Sequence, residues 1–328
     1  MMDKIRWGIL STGRIANALA DAVSRLDDCE VVAVGSRSQE SADAFAARYN
    51  IPRAYNSYEA LCSDPDVDII YVATPHSHHY DNVITALQAN KHVLNEKAFT
   101  INASQAEHLI DMARERNLFL MEAMWMRFNP HIVQARQLVD SGTIGTVRQV
   151  FADLSVFFKF DPASRIYAPE LGGGALLDLG IYPISFAHYW LGTPDDVWSV
   201  AFLGETGVDE HDAMMFAYAD GRTAQLSCSV RFPGTRAATI VGDKGYIHFH
   251  GPLYASPRIT VKTEDLPERV IDLPIEGDNL YRYEVMEANA CLRAGKTESA
   301  IMPLDDTLAI MQVMDGMREE WGLEYPME

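Results

Sequence analysis

At 328 residues the chain is long enough for a sizeable core and, by length alone, for roughly two domains. Hydrophobic content of 48% and charged content of 22% fit a globular protein, and 46 acidic against 27 basic residues leave a formal net charge of −19. Such a chain is repelled by nucleic-acid phosphates and anionic membranes, and its densest basic pair is only Arg114 and Arg116. Four scattered cysteines, with no CxxC pair, argue against a zinc site or a disulfide scaffold and fit a reducing compartment. The opening "MMDKIRWGIL" lacks a signal-peptide core and no run of eighteen apolar residues occurs, so a cytoplasmic protein without membrane spans is expected.

The first 120 residues alternate. "IRWGIL" (5–10), "EVVAVGS" (30–36), "VDIIYVAT" (67–74), "KHVLNE" (91–96) and "LFLMEA" (118–123) read as strands. Helical periodicity fills 13–26, 41–50, 78–90 and 104–117 between them. Strands separated by helices predict βαβ units and a parallel sheet with right-handed crossovers.

After residue 123 the rhythm changes. A helix over 129–145 gives way to strand-like runs, with "ADGRT" (219–223) and "GDKGY" (242–246) as hairpin signals. A helix around 173–191 interrupts them, and helices near 280–294 and 304–320 close the chain. The expected fold is an α/β Rossmann domain over 1–123, then an α+β domain over 124–328 with a large, open, mostly antiparallel sheet.

The first turn, "GILSTGRIA" (8–16), sets Ser11, Gly13 and Ala16 at the positions of the G-x-G-x-x-G/A dinucleotide fingerprint. Only the first departs from the pattern. Gly13 lets backbone approach a pyrophosphate, and the helix N-terminus offers it free N–H groups. With Thr12, Arg14 and Ile15 these residues form a candidate cofactor cradle; a tight turn without ligand is the plainer alternative. At the end of the second strand an NAD site places an acid for the ribose hydroxyls. Here Ser36, Arg37 and Ser38 stand instead, and no acid occurs before Glu40. An arginine flanked by hydroxyls suits a 2′-phosphate, so NADP is expected over NAD.

Oxidation of an alcohol by a nicotinamide needs a carbinol C–H against the ring, a base for the hydroxyl proton and a positive charge near the developing alkoxide. Lys97 follows a strand end, where open α/β sheets bind ligands. Glu96 beside it cannot face the same way in extended backbone, so one of the two supports the cofactor edge. Asp178 and Tyr182 are four apart on one helix face. A nearby ammonium would favour the phenolate of Tyr182, and Asp178 could orient substrate hydroxyls. His76, His78 and His79 cluster after the third long strand, but consecutive helix residues cannot all face one ion and no metal is expected. Trp125 and Arg127 follow the last strand of the first domain. Arg127 could bind cofactor phosphate or carboxamide and Trp125 could wall a ring-shaped substrate, with packing as the alternative for each. Phe158, Arg165 and Tyr167 are candidate substrate-side residues.

The stretches "GILSTGRIA", "YVATPHSHHYDNVITAL" (71–87), "VLNEKAF" (93–99), "MEAMWMRFNP" (121–130) and "GGGALLDLGIY" (172–182) resemble the Gfo/Idh/MocA oxidoreductases across nearly the whole length. "EAMWMRF", "ETGVD" (205–209) and "LLDLGIY" resemble, within that family, the dimeric dihydrodiol dehydrogenase and NADP-dependent D-xylose dehydrogenase branch, where the first fingerprint glycine is commonly serine. The resemblance implies an NAD(P)-dependent dehydrogenase for a cyclic polyol, pyranose sugar or trans-dihydrodiol, with Lys97 and Tyr182 as the acid/base pair. It implies that Thr74, Pro75 and His76 lie in the cofactor loop, with His79 matching a recurrent histidine. It also implies a homodimer through the C-terminal sheet, or a higher oligomer. Two alternatives stay open: 1,5-anhydrofructose reduction or sugar–sugar hydride exchange with tightly held cofactor, and a non-catalytic, nucleotide-dependent sensor. The family usually reads E-K-P where this chain has Ala98. A cis bond before alanine costs roughly 2.5–4 kcal/mol, so a trans Lys97–Ala98 peptide is expected.

Overall fold

Buried parallel strands must be apolar along their whole length, because helices cover both faces. Ile69–Val72 in the first third obeys this throughout, while Asn95, Glu96 and Glu122 are buried polar exceptions on the strands that follow it. In the computed structural model, which describes residues 4–265, 267–275 and 278–328, the first third runs β1 (Ile5–Leu10), α1 (Arg14–Ser24), β2 (Cys29–Gly35), α2 (Gln39–Tyr49), β3 (Arg53–Tyr55), α3 (Tyr58–Cys62), β4 (Ile69–Val72), α4 (His79–Gln88), β5 (His92–Glu96), α5 (Ala103–Arg116) and β6 (Leu120–Ala123). Every residue of β4 and β6 is buried. The second part runs α6 (Pro130–Asp140), β7 (Val147–Ser155), α7 (Ile181–Leu191), β8 (Asp196–Leu203), β9 (Asp209–Ala217), β10 (Thr223–Ser229), β11 (Ala238–Gly242), β12 (Gly245–Phe249), β13 (Arg258–Thr263), β14 (Arg269–Asp272), α8 (Arg282–Arg293) and α9 (Leu304–Trp321).

The chain forms two compact units, Met1–Trp125 with Asn279–Leu308, and Met126–Asp278 with Ala309–Glu328. Residues 279–308 return to the first unit. Their contacts give the reason. The indole N–H of Trp7 donates to Asn289 Oδ1 at 3.2 Å. The Leu120 amide donates to the Thr297 carbonyl at 3.1 Å, and Thr307 Oγ1 donates to Glu122 Oε2 at 3.0 Å.

In the first unit six parallel strands lie in the order β3-β2-β1-β4-β5-β6. The order reverses between β1 and β4, and ligands bind such sheets in the crevice beyond the carboxyl ends at that switch point. Leu10 pairs with Gly35 on one side and Val72 on the other, Val72 with Asn95, and Glu96 with Ala123. These registers bring residues 11–13, 36–38, 74–76 and 96–98 to one edge of the sheet.

In the second unit eight strands lie in the order β14-β13-β12-β11-β7-β10-β9-β8. All neighbours are antiparallel except β7 and β10. Helix α7 packs on β7 and β10. On β8 burial alternates, and Trp198, Val200 and Phe202 are exposed. Met215, opposite Trp198, and Phe151 are exposed as well. Among the described residues no helix is long and apolar enough to cross a membrane.

Candidate active site

At the end of β1 the chain turns at Ser11, whose φ of +99° lies in the region that favours glycine. The fingerprint position thus keeps the glycine conformation with a serine in place. Gly13 is the N-cap of α1, with no side chain capping the helix and no acid in its first turn. A Cβ on Gly13 would meet nothing nearer than Ser11 Oγ at 3.8 Å, so the space above it is open. The first amides of α1 lack intrahelical acceptors by construction. Open space, unpartnered donors and positive helix polarity fit a pyrophosphate. Gly13 and Arg14 are exposed; Ser11, Thr12 and Ile15 are half-buried.

Beyond β2, Ser36 is buried and its Oγ accepts from the Ser38 amide at 3.4 Å. Ser38 Oγ accepts from the Ser41 amide at 3.4 Å, capping α2, and keeps its hydroxyl proton free to donate. Arg37 is exposed and its guanidinium interacts with the Tyr58 hydroxyl.

Beyond β4, Thr74 Oγ1 accepts from Asn82 Nδ2 at 3.1 Å. His79 is fully buried, with Nε2 2.9 Å from the Thr74 carbonyl oxygen and Nδ1 2.8 Å from that of Ala98. It ties the loop after β4 to the loop after β5. Both its nitrogens face carbonyls and neither is available to a metal. His76 is buried too, its ring edge-on to His79 at 5.6 Å.

Beyond β5, Glu96 is buried and turned inward: Oε1 accepts a short hydrogen bond from the Tyr71 hydroxyl, and Oε2 accepts from the Lys97 amide at 3.2 Å. Glu96 is thus part of the supporting shell. Lys97 is half-buried. The Lys97–Ala98 peptide is cis, which corrects the trans expectation. Around this bond Ala98 is fully buried, its carbonyl faces His79, and the Phe99 carbonyl accepts from Asn95 Nδ2 at 2.6 Å. Trp125 is buried, its ring 4.6 Å from that of Tyr281.

In the second unit, Leu176–Gly180 is a π-helical turn that runs directly into α7. The extra residue per turn absorbs Pro183 in the first turn of α7 without a break. Asp178 is buried and accepts from Arg165 Nη1 at 2.8 Å. Tyr182 is buried against Tyr254, with ring centroids 5.5 Å apart. Arg127 is 1% exposed; its Nε donates to Ser185 Oγ at 3.1 Å and its guanidinium lies 5.1 Å from the Tyr189 ring centre. These contacts are packing contacts with α7. The Tyr167 hydroxyl donates to the carbonyls of Phe158, at 3.0 Å, and Val230, at 3.3 Å. That phenol staples the backbone around Phe158.

Glu284 and Asp209 are among the buried acids that escaped the sequence reading. Glu284 on α8 has no hydrogen-bond partner on either carboxyl oxygen, and no local pattern marks it. Asp209 at the start of β9 accepts from the Leu176 amide at 2.5 Å. Its signal was its place in "ETGVD".

Residues 5–124 match a family described as oxidoreductases with an NAD-binding Rossmann fold, and residues 132–248 match the GFO/IDH/MocA C-terminal domain. The chain is 38% identical over 329 residues to a trans-1,2-dihydrobenzene-1,2-diol dehydrogenase of Xenopus tropicalis, covering 98% of this chain and 99% of that one. It is 35% identical over 364 residues to a D-xylose 1-dehydrogenase (NADP(+)) of Hypocrea jecorina, covering 98% and 93%. A 3-ketoreductase from Actinomadura kijaniata, solved with NADP and TDP-benzene, superposes with a TM-score of 0.85 at 28% identity over 97% of this chain and 98% of that one. The chain belongs to the Gfo/Idh/MocA family of oxidoreductases.

Proposed function

We propose that this oxidoreductase uses NADP to oxidise or form a carbinol in a cyclic polyol, pyranose sugar or trans-dihydrodiol. The observation that carries the reading is the edge of the parallel sheet, where the open Gly13 turn, Arg37 and Lys97 come together. The turn amides and Arg14 hold the pyrophosphate, and Arg37 with Ser36 and Ser38 holds the 2′-phosphate. The nicotinamide, when bound, accepts or returns the hydride. Tyr182 Oη, as the phenolate, takes the hydroxyl proton in oxidation and, as the phenol, returns it in reduction. The Lys97 ammonium offsets the negative charge that develops on substrate oxygen and on the phenol. Asp178, held by Arg165, accepts from substrate hydroxyls and fixes the ring. The relatives named for dihydrodiol and D-xylose oxidation, the latter with NADP(+), support this substrate class and cofactor.

A screen of NADP+ reduction over pyranoses, inositols and trans-dihydrodiols, read by reduced-nicotinamide absorbance, tests the reading. Lys97→Met should abolish turnover; full turnover in that variant refutes the mechanism. The exposed apolar face bearing Trp198, Val200 and Phe202 supports a homodimer through the sheet. Val200→Lys should then yield a monomer in sedimentation equilibrium, and an unchanged mass for wild type and variant refutes it.

A further inference from the structure

We propose that Asp209 is a positioning residue of the reaction: from the start of β9 its carboxylate anchors the π-helical turn Leu176–Gly180 and so sets where Asp178 and Tyr182 stand. The inference rests on the reading of Tyr182 as the acid/base group.

The turn has no cap of its own, because the residue before it, Ala175, offers no side-chain acceptor. Asp209 supplies one from elsewhere in the chain. It is fully buried, and its Oδ2 accepts from the Leu176 amide at 2.5 Å. Gly174 makes room for it: its φ is +120°, and a Cβ there would lie 2.1 Å from Asp209 Oδ1. The far end of the turn is fixed by the same cluster. A Cβ on Gly180 would lie 2.9 Å from Cys228 Sγ, and that thiol donates to Asp212 Oδ2 at 3.0 Å. Asp178 sits between these two anchors, and Tyr182 follows two residues after the second. Tyr325 braces the approach, its hydroxyl donating to the Gly173 carbonyl at 2.6 Å.

Two buried carboxyls side by side cannot both ionise. Burial, and then the charge of Asp209, push Asp212 well above the carboxylate range. Burial also raises Asp209, opposed by its neighbour Asp212 and by the backbone amides, that of Leu176 among them. The Leu176 amide on Asp209 Oδ2 is a stronger donor than the Cys228 thiol on Asp212 Oδ2, so the pair's single negative charge rests on Asp209, at the positive end of the helix. A neutral amide can replace a protonated carboxyl, whereas it cannot replace the charge.

The test uses full-length protein, NADP+ and the carbinol found in the screen above. Asp209→Asn should keep its near-UV circular dichroism and its KM for NADP+ within about twofold, while kcat falls about tenfold or more. Asp209→Glu, which keeps the charge but displaces the anchor, should show the same split. Asp212→Asn should keep kcat within about threefold. Asp209→Asn combined with Tyr182→Phe should lose less than the product of the two single losses, since the anchor acts in part through the phenol. A folded Asp209→Asn or Asp209→Glu with wild-type kcat, or multiplicative losses in the double variant, overturns the inference while leaving Tyr182 in its role. Full turnover in Tyr182→Phe, or no carbinol oxidised at all, overturns the underlying reading and this inference with it.

Discussion

His79 Nδ1 lies 2.8 Å from the carbonyl oxygen of Ala98, joining the loop that carries Lys97 to the loop that carries Thr74. The two facing carbonyls favour a protonated ring, but burial opposes this more strongly and draws its pKa down to about 4. His131, buried and donating to the Leu253 carbonyl, is also drawn down to about 4, by burial first. Each histidine titrates near 6.5 when unfolded, so the unfolded state binds more protons between the two values. Stability is complete above pH 6.5 and is lost as pH falls toward 4, by about 3 kcal/mol per ring. Thermal melts over this window should show the decline. His131→Gln should flatten it; an equal slope in the variant would contradict the assignment.

Ser11 holds a backbone angle that costs a residue with a side chain of order 1–3 kcal/mol. Ser11→Gly removes that cost and gives back part of it as entropy of the unfolded chain. The expected net gain is about 1 kcal/mol, or about 2 °C in Tm for a chain of this size. A lower Tm for Ser11→Gly would mean that the hydroxyl contributes more than the backbone conformation costs.

Arg37 is the charge that stands where an NAD enzyme keeps an acid. Arg37→Asp places a carboxylate against the 2′-phosphate and offers the 2′-hydroxyl an acceptor. Relative kcat/KM should shift toward NAD by about two orders of magnitude, from the lost charge-assisted bonds and the new repulsion. Measuring both cofactors side by side checks it, and an unchanged preference refutes the assignment of NADP to this arginine.

Glu284 is pushed well above the carboxylate range by burial and by the charge of Glu96. An acid whose folded pKa is raised stabilises fully below its unfolded pKa near 4.5. That contribution is lost as pH rises toward the folded value. Glu284→Gln keeps the shape and has no proton to lose, so its Tm should match wild type near pH 5 and exceed it by several degrees near pH 9. Parallel melting curves across this range would refute the buried-acid reading.

The strands β1, β2, β4, β5 and β6 were legible because strands buried on both faces are rich in apolar, β-branched residues and stand between helical stretches. The three-residue β3, the five-residue α3 and the largely exposed edge strand β14 were not, since none is long enough to express a period. The π-turn reads as ordinary helix in the sequence. The parallel β7–β10 pair depends on strand order, which no local pattern holds. At the site, Gly13, Arg37 and Lys97 stand at strand ends and could be placed from spacing. Asp209 could not, because it caps a turn 33 residues earlier in the chain. The cis geometry at Ala98 could not be read either, since the neighbours of that loop, His79 and Asn95, meet it only in the folded chain.

The return of residues 279–308 to the first unit sets a schedule for synthesis. A ribosome delivers chain from the N-terminus at about 5–20 residues per second, and domains generally fold as they emerge. Trp7 meets its acceptor Asn289 only after 282 further residues have been made. The second unit's strands are all available before the nucleotide fold can close. A truncated chain ending before Asn279 would carry a complete large sheet beside an unfinished Rossmann unit, with the partners of Trp7 and Glu122 missing.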